Sequence, residues 1–328
     1  MATNLPSLYT LVEQAKQISP EGKQMRIAEV MAKEISMVVD IPFYPSNDIW
    51  SHKSLRAASI PAGTWRGVNE YVASEVALDD EVLDVIGICE TFATYDIEYI
   101  DNMPDPMAAR LRKAKRYIEG LAQTLCSAFL YSNNQATPKK PHGIAPRLNA
   151  TGRYVISNGG SSALTSIYVI NWDEDTVYGV YPKNSEAPNG DPYPVMHKDL
   201  GERVDVNSSG NKLRVYEDNF KMKAGLVIED NRAIGRVCNV PSATAATQTW
   251  ENDLIVLMDR MKTGPGTRIY MNEAMISAAR IRMKDKNNVH WTPDGGKGLF
   301  GESVMKFDET PVRKIDSAIL LNSESSVT

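Results

Sequence analysis

Cysteine is scarce in this chain: Cys89, Cys126 and Cys238 are the three among 328 residues, and no pair has Cys-x-x-Cys spacing. A disulfide scaffold and a thiolate zinc site are excluded, and the thiols are expected to be reduced and buried, as in a cytosolic product. Histidine is equally sparse. His52, His142, His197 and His290 stand apart from one another, with no Cys, His or Glu at metal-ligand spacing. No apolar run approaches the ~18 residues of a membrane-crossing helix. The opening MATNLPSLYTLVEQ lacks the basic and apolar regions of a signal peptide. Positive charge is not in excess either. Lys plus Arg is 36 against 41 for Asp plus Glu, a net charge of −5 and a pI near 5.6. A sequence-independent DNA wrapper should be basic, and no segment mixes basic and stacking aromatic residues as single-strand binders do. Only weak contact with nucleic acid is expected.

Catalytic signatures are missing too. Gly296–Gly301 matches G-x-G-x-x-G literally, but it follows a turn-like stretch and precedes a strand-like one, the wrong context for a dinucleotide site. There is no G-x-x-x-x-G-K-[ST], and Ser161 and Ser162 lack the flanking glycines of a nucleophile elbow. Asp79–Glu81 and Asp173–Asp175 are acidic runs in which successive side chains diverge, so both read as solvated turns. No catalytic, cofactor or metal residue is assigned.

What is present is ordinary globular composition, 42% hydrophobic and 23% charged, in a length that allows two or three domains or one elaborate one. Residues 5–18 and 24–39 carry amphipathic helical stripes, the first with Leu8, Leu11, Val12 and Ala15, the second with Ile27, Val30, Met31, Ile35 and Val38; between them Ser19 and Pro20 suit a cap and a first turn. Residues 40–70 hold Pro42, Pro45 and Pro61, Trp50 and Trp65, Lys53, Arg56 and Arg66, without a sustained period. Thirty unpatterned residues are long for a connection and suggest an arm that packs elsewhere. Pro61-Ala62-Gly63 is expected to form its tight tip. Glu81–Ile100 reads as strand, with Tyr95, Ile97 and Tyr99 alternating against Asp96 and Glu98.

Residues 104–131 give the strongest helix, roughly 40 Å long at its 1.5 Å rise per residue. Its apolar stripe runs through Met107, Leu111, Ala114, Ile118, Leu121, Leu125 and Ala128. Arg110, Arg112, Lys113, Lys115 and Arg116 lie mostly off that stripe, as a solvated face, an intersubunit ion-pair surface or a patch facing nucleic acid. From 151 to 240 the chain is β-rich, with Ser166–Asn171 and Thr176–Tyr181 expected to pair as a hairpin across Trp172–Asp175. Further strands are expected at 203–206, 212–217, 225–229 and 233–240. Helices follow near 248–262 and over 273–284, the latter capped by Asn272, with strands at 267–271, 302–308 and 311–320.

This order of elements resembles the major capsid proteins of tailed bacteriophages with the Hong Kong 97-type fold. Three stretches are similar to the branch found in short-tailed phages: SIYVINW (166–172) continuing to VYGVYPK (177–183), AGLVIED (224–230), and TPVRKIDSAI (310–319). The resemblance implies an α+β fold with an N-terminal arm over 1–45 and an E-loop over 46–80. It further implies a P-domain over 81–149 whose spine helix is 104–131, an A-domain over 150–301, and closing P-domain strands over 302–328. It implies a self-assembling structural protein, not an enzyme. Hexamers and pentamers would form an icosahedral shell around double-stranded DNA, in a virion assembled in the host cytoplasm. Portal, separate scaffolding and decoration proteins are the implied partners, with no membrane. Trp50, Lys53, Arg56, Trp65 and Arg66 would then make intersubunit contacts. Some relatives cross-link through an E-loop lysine; Lys53 lies in the matching region, yet a non-covalent shell is expected. The competing readings are a decoration or tail component, and a nucleotide-binding enzyme using 294–301.

Overall fold

The computed structural model describes residues 36–57, 61–183, 195–242, 249–283, 290–292 and 305–328. The helical pattern over 5–18, the Ser19 cap, most of the pattern over 24–39 and the glycine-rich 296–301 lie outside the described residues. The end of the second pattern is helix α1 (Ser36–Asp40).

Two sheets and one long helix build the body. The larger sheet has seven strands in the order β12 (Trp291–Thr292), β13 (Lys306–Phe307), β14 (Thr310–Ile315), β11 (Thr267–Asn272), β6 (Leu164–Asn171), β10 (Ile234–Pro241) and β5 (Val155–Ser157). β6 is buried along its whole length. Its side chains alternate between two apolar layers, as the two-residue period of a strand requires. Ile167 and Val169 join Val237 with Trp250 and Leu254 of helix α5 (Trp250–Arg260) and Met275 of helix α6 (Glu273–Arg282). Tyr168 and Ile170 join Phe129 and Leu130 of the long helix α3 (Pro106–Tyr131). A strand covered on both faces has no wet side, which explains the unbroken apolar run. Asn272 caps α6 by accepting from the Met275 amide at 3.0 Å, as its position predicts.

The second sheet is organised around β9 (Lys212–Ile228), which pairs antiparallel with β8 (Val195–Val206), β4 (Gly87–Asp96) and β7 (Val177–Tyr181); β1 (Phe43–Pro45) extends it from β7. Helix α3 has 26 residues and shares one apolar cluster with residues of both sheets, among them Tyr168 and Ile170 of β6 and Phe220 and Met222 of β9. Asp40 clamps α1 to the larger sheet by accepting from Arg313 at 3.0 and 3.1 Å and from the Tyr270 hydroxyl at 3.0 Å. Burial pushes the Tyr270 hydroxyl well above its ordinary range, so it keeps the proton it donates.

Several expectations are corrected. β6 and β7 do not pair as a hairpin: Trp172–Asp175 turns the chain out of one sheet and into the other. The Trp172 indole donates to the Tyr270 hydroxyl at 2.7 Å, anchoring the crossing. The strands at 212–217 and 225–229 are one continuous strand. Residues 150–301 supply strands to both sheets: β7, β8 and β9 join β1 and β4, while β5, β6, β10 and β11 build the larger sheet. Ile97–Asp101 is a helix, α2, not the end of a strand. Asp96 accepts from the Glu98 amide at 3.0 Å, and Ile97, Tyr99 and Ile100 are all buried; three-residue alternation cannot separate a strand from one covered helical turn.

The spine stripe is only partly core. Leu121 and Leu125 are buried, but Ile118 is 41% exposed. Helical period identifies the inward face, while the neighbouring sheet decides over which turns that face is covered. Met107 and Leu111 belong to α3, but their side chains lie outside the described set.

The basic cluster is not uniform either. Arg110 reaches the buried Asp218 through two bonds at 2.7 and 2.9 Å and Asp199 at 2.6 Å, tying α3 to the β8–β9 pair. Lys113 lies half-buried with its ammonium 3.5 Å from the Tyr99 ring centre. Burial, with Arg116 adding, brings its pKa down to about 8; the ring face favours the cation and moderates this fall. Between about pH 8 and 10.5 the unfolded chain holds a proton on this amine that the folded chain has lost. Stability therefore gains a positive slope with pH in that window. Lys113→Met is expected to remove that slope, read from urea midpoints at pH 7, 8, 9 and 10 in the two proteins.

Candidate assembly surface

The unpatterned segment after β1 becomes a two-stranded antiparallel ribbon. β2 (Ser51–Ala57) pairs with β3 (Asp79–Val85) from Ser51 opposite Val85 to Ala57 opposite Asp79. An isolated pair of strands is marginal in water, so its root must be held. Arg147 of helix α4 (Ile144–Arg147) donates to Asp84 at 2.5 Å, with both side chains largely buried. Arg56 donates to the Ile228 carbonyl. His52 meets the Tyr178 hydroxyl at 3.1 Å, and that hydroxyl donates to Glu229 at 2.6 Å. The Ile86 amide donates to the Trp50 carbonyl at 3.0 Å. Burial lowers the Arg56 pKa, a sign of how far the root is removed from water.

Beyond the root, no described residue covers the ribbon. Every residue from 61 to 78 is exposed. Trp65 is 100%, Val68 94% and Tyr71 101% exposed, a density of free apolar side chains that marks an interaction surface. The segment has internal order all the same: Glu70 accepts from the Gly67 amide at 2.7 Å, Arg66 donates to the Glu70 carbonyl at 3.2 Å, and Glu75 accepts from the Ala62 amide at 3.1 Å. Asn69, at φ 69°, makes the reversal. The expected tip at Pro61–Gly63 is therefore displaced to 67–70, because Glu70 and Asn69 supply the turn bonds and the left-handed backbone that proline cannot.

The residues singled out from sequence fall into two groups. Trp50, Lys53 and Arg56 lie in or beside the rooted part of the ribbon. Trp50 stands 5.4 Å from the Lys223 ammonium, and Lys53 faces Glu81 at 3.6 Å, an exposed pair of little energetic weight. Trp65 and Arg66 lie at the free end. Sequence reasoning missed the ties of the root, since Asp84 and Arg147 are 63 positions apart and Arg56 and Ile228 are 172 apart; no local spacing signals such pairs. Among the described residues no group of three His, Cys, Asp or Glu is arranged to hold a metal.

A rooted arm whose large apolar side chains are uncovered among the described residues, carried on a two-sheet body with a 26-residue spine helix, is the build of a structural protein that offers a surface for association. Comparison with known proteins is specific. The family model described as Major capsid protein GP7 matches residues 19–328, and the chain belongs to this family of major capsid proteins, components of the virion shell. Among solved structures, a chain of bacteriophage epsilon15 is 22% identical over 100% of this chain and 99% of its own, with a TM-score of 0.74. That likeness shows the fold, the α+β Hong Kong 97-type fold. The bacteriophage JBD30 capsid is 11% identical over 96% of this chain and 99% of its own, with a TM-score of 0.48. The capsid of a native GTA particle is 10% identical over 72% and 99%, with a TM-score of 0.46. No curated protein matches the chain.

Proposed function

We propose that hexamers and pentamers of this chain close into an icosahedral shell around double-stranded DNA, and that the ribbon's free end crosses onto a neighbouring subunit. The observation that carries this reading is the unbroken run of exposed residues from 61 to 78, with Trp65, Val68 and Tyr71 uncovered among the described residues. Fully burying one such side chain stabilises by roughly 1.5–3 kcal/mol, and many copies of one modest contact close a shell cooperatively. In this reading 1–45 is the N-terminal arm, 46–80 the E-loop and 81–149 the P-domain with its spine helix. The A-domain lies within 150–301, and 302–328 closes the P-domain. A net charge of −5 keeps packaged DNA from adhering to the wall. Assembly takes place in the host cytoplasm with a portal, and scaffolding and decoration proteins act as separate partners.

Limited proteolysis tests the crossing. Trypsin should cut free subunits rapidly after Arg66, since exposed loop ends are preferred sites of nicking. In assembled shells that cut should slow on the order of tenfold or more, as access comes to depend on opening of the contact. Equal rates in both states would place the segment outside any contact between copies.

A further inference from the structure

The side of the ribbon that meets the body is its polar one. In β2, His52, Ser54 and Arg56 are spaced by two and so share a side, and the register sets His52 opposite Asp84 of β3 on that same side. Ser54 is 5% and Asp84 3% exposed, whereas Leu55 and Leu83, on the other side, are 73% and 55% exposed. This reverses the usual order, in which an antiparallel layer turns its apolar side to the core.

Five buried polar atoms at this seat have no hydrogen-bond partner among the described residues: His52 Nδ1, Ser54 Oγ, Arg56 Nε, Asp84 Oδ2 and Arg147 Nε. The groups are held in place by their other atoms. Asp84 Oδ1 accepts from Arg147 at 2.5 Å, Arg56 donates to the Ile228 carbonyl, and His52 Nε2 meets the Tyr178 hydroxyl. They also lie close together, since the charges of Asp84, Arg147 and Glu229 all act on the Arg56 guanidinium. Native proteins satisfy nearly all buried polar atoms, so five bare ones in one place call for a ligand.

Their demand is mixed. The two Nε groups only donate, Asp84 Oδ2 only accepts, and the hydroxyl and the ring nitrogen can do either. Water donates twice and accepts twice, and so meets that mixture as buried waters ordinarily do. An ion does not. Arg56 and Arg147 oppose a cation, while Asp84 and Glu229 oppose an anion.

We propose that the ribbon is seated on the body through buried water, with one molecule bridging Asp84 Oδ2 to a guanidinium Nε and the layer reaching the Ser54 hydroxyl. A seat of this kind sets orientation by hydrogen bonds rather than by dry packing. Sliding either strand by one residue would turn Leu55 or Leu83 inward and break the polar layer. The hydrated seat thereby fixes which face of the ribbon the subunit presents outward. It lies within one subunit, so it is independent of whether the free end crosses to another.

Hydrogen exchange of the free, full-length subunit tests the seat through the sign of one change. A Ser54 hydroxyl bonded to water loses that bond in Ser54→Ala. Relative to the amides of α3, those of β2 should then exchange about fivefold faster, the factor set by one net hydrogen bond. A hydroxyl buried bare would be relieved by the same substitution, and exchange would slow. Slower or unchanged relative exchange of β2 would overturn the hydrated seat. A density map of the wild-type protein fine enough to show ordered water reads the site directly. The expected result is solvent about 2.7–3.2 Å from Asp84 Oδ2 and from the Nε of Arg56 or Arg147. An ion in that place, direct protein bonds to Asp84 Oδ2 and both Nε groups, or no solvent at Asp84 Oδ2 would each overturn the proposal.

Discussion

Glu324→Ala is expected to lower the stability of the free subunit by about 3–5 kcal/mol, the usual loss when one partner of a buried ion pair is removed. Glu324 and Arg236 are 5% and 4% exposed and meet at 2.7 Å. The guanidinium also donates to the Ser166 hydroxyl at 2.9 Å and the Leu148 carbonyl at 3.0 Å. Tyr131 and Ser166 both donate their hydroxyls to Glu324. Burial pulls the Arg236 pKa down, yet Tyr168 and Glu324 more than offset it and hold the value above its ordinary range. The variant leaves a charged guanidinium in the core with its carboxylate gone. Such a loss is a large fraction of the 5–15 kcal/mol that holds a typical domain together. Urea unfolding followed by tryptophan fluorescence measures it; a shift below about 1 kcal/mol would mean that water replaces the carboxylate. Replacing both partners, Arg236→Met with Glu324→Leu, should recover most of the loss. The ion pair joins the chain's last residues to β10 and, through Tyr131, to the end of α3.

Leu125→Asp is expected to prevent folding, whereas Ile118→Asp should leave a folded subunit. Both positions lie on the same stripe of α3, seven residues apart. Leu125 is 5% exposed and shares the large cluster with Leu121, Phe129 and Tyr168, while Ile118 is 41% exposed. A carboxylate in the first position has no partner, and burying it costs several kcal/mol. In the second it reaches water, and the expected change is within about 1 kcal/mol. Soluble expression and circular dichroism of the two variants decide the matter. A folded Leu125→Asp subunit would show that this turn of the helix is not enclosed.

Local chemistry made much of the fold legible. The α3 helix needed only its apolar period, and β6 its continuous SIYVIN run. The Asn272 cap needed only an asparagine ahead of a helical pattern. The arm was legible in a negative way, as thirty residues with tryptophans but no period. Its turn is displaced because proline and glycine at 61–63 are stronger local signals than the bonds Glu70 accepts from the Gly67 amide and the Arg66 guanidinium. The supposed β6–β7 hairpin was misread for a similar reason. Two strands flanking a four-residue turn look alike whether they pair with each other or part into separate sheets, and the Trp172–Tyr270 bond that parts them joins residues 98 positions apart.

From the amino-acid order alone came element types, the absence of catalytic signatures, the acidic balance and a resemblance carried by the sequence of strands and helices. These follow from interactions within a few residues, where backbone preference and side-chain period act directly. Which turns of α3 are covered and how the arm is rooted through Asp84, Arg147 and Arg56 were decided by tertiary structure. Those features depend on groups brought together across tens to hundreds of positions, and burial is a property of what lies opposite a side chain rather than of the side chain itself.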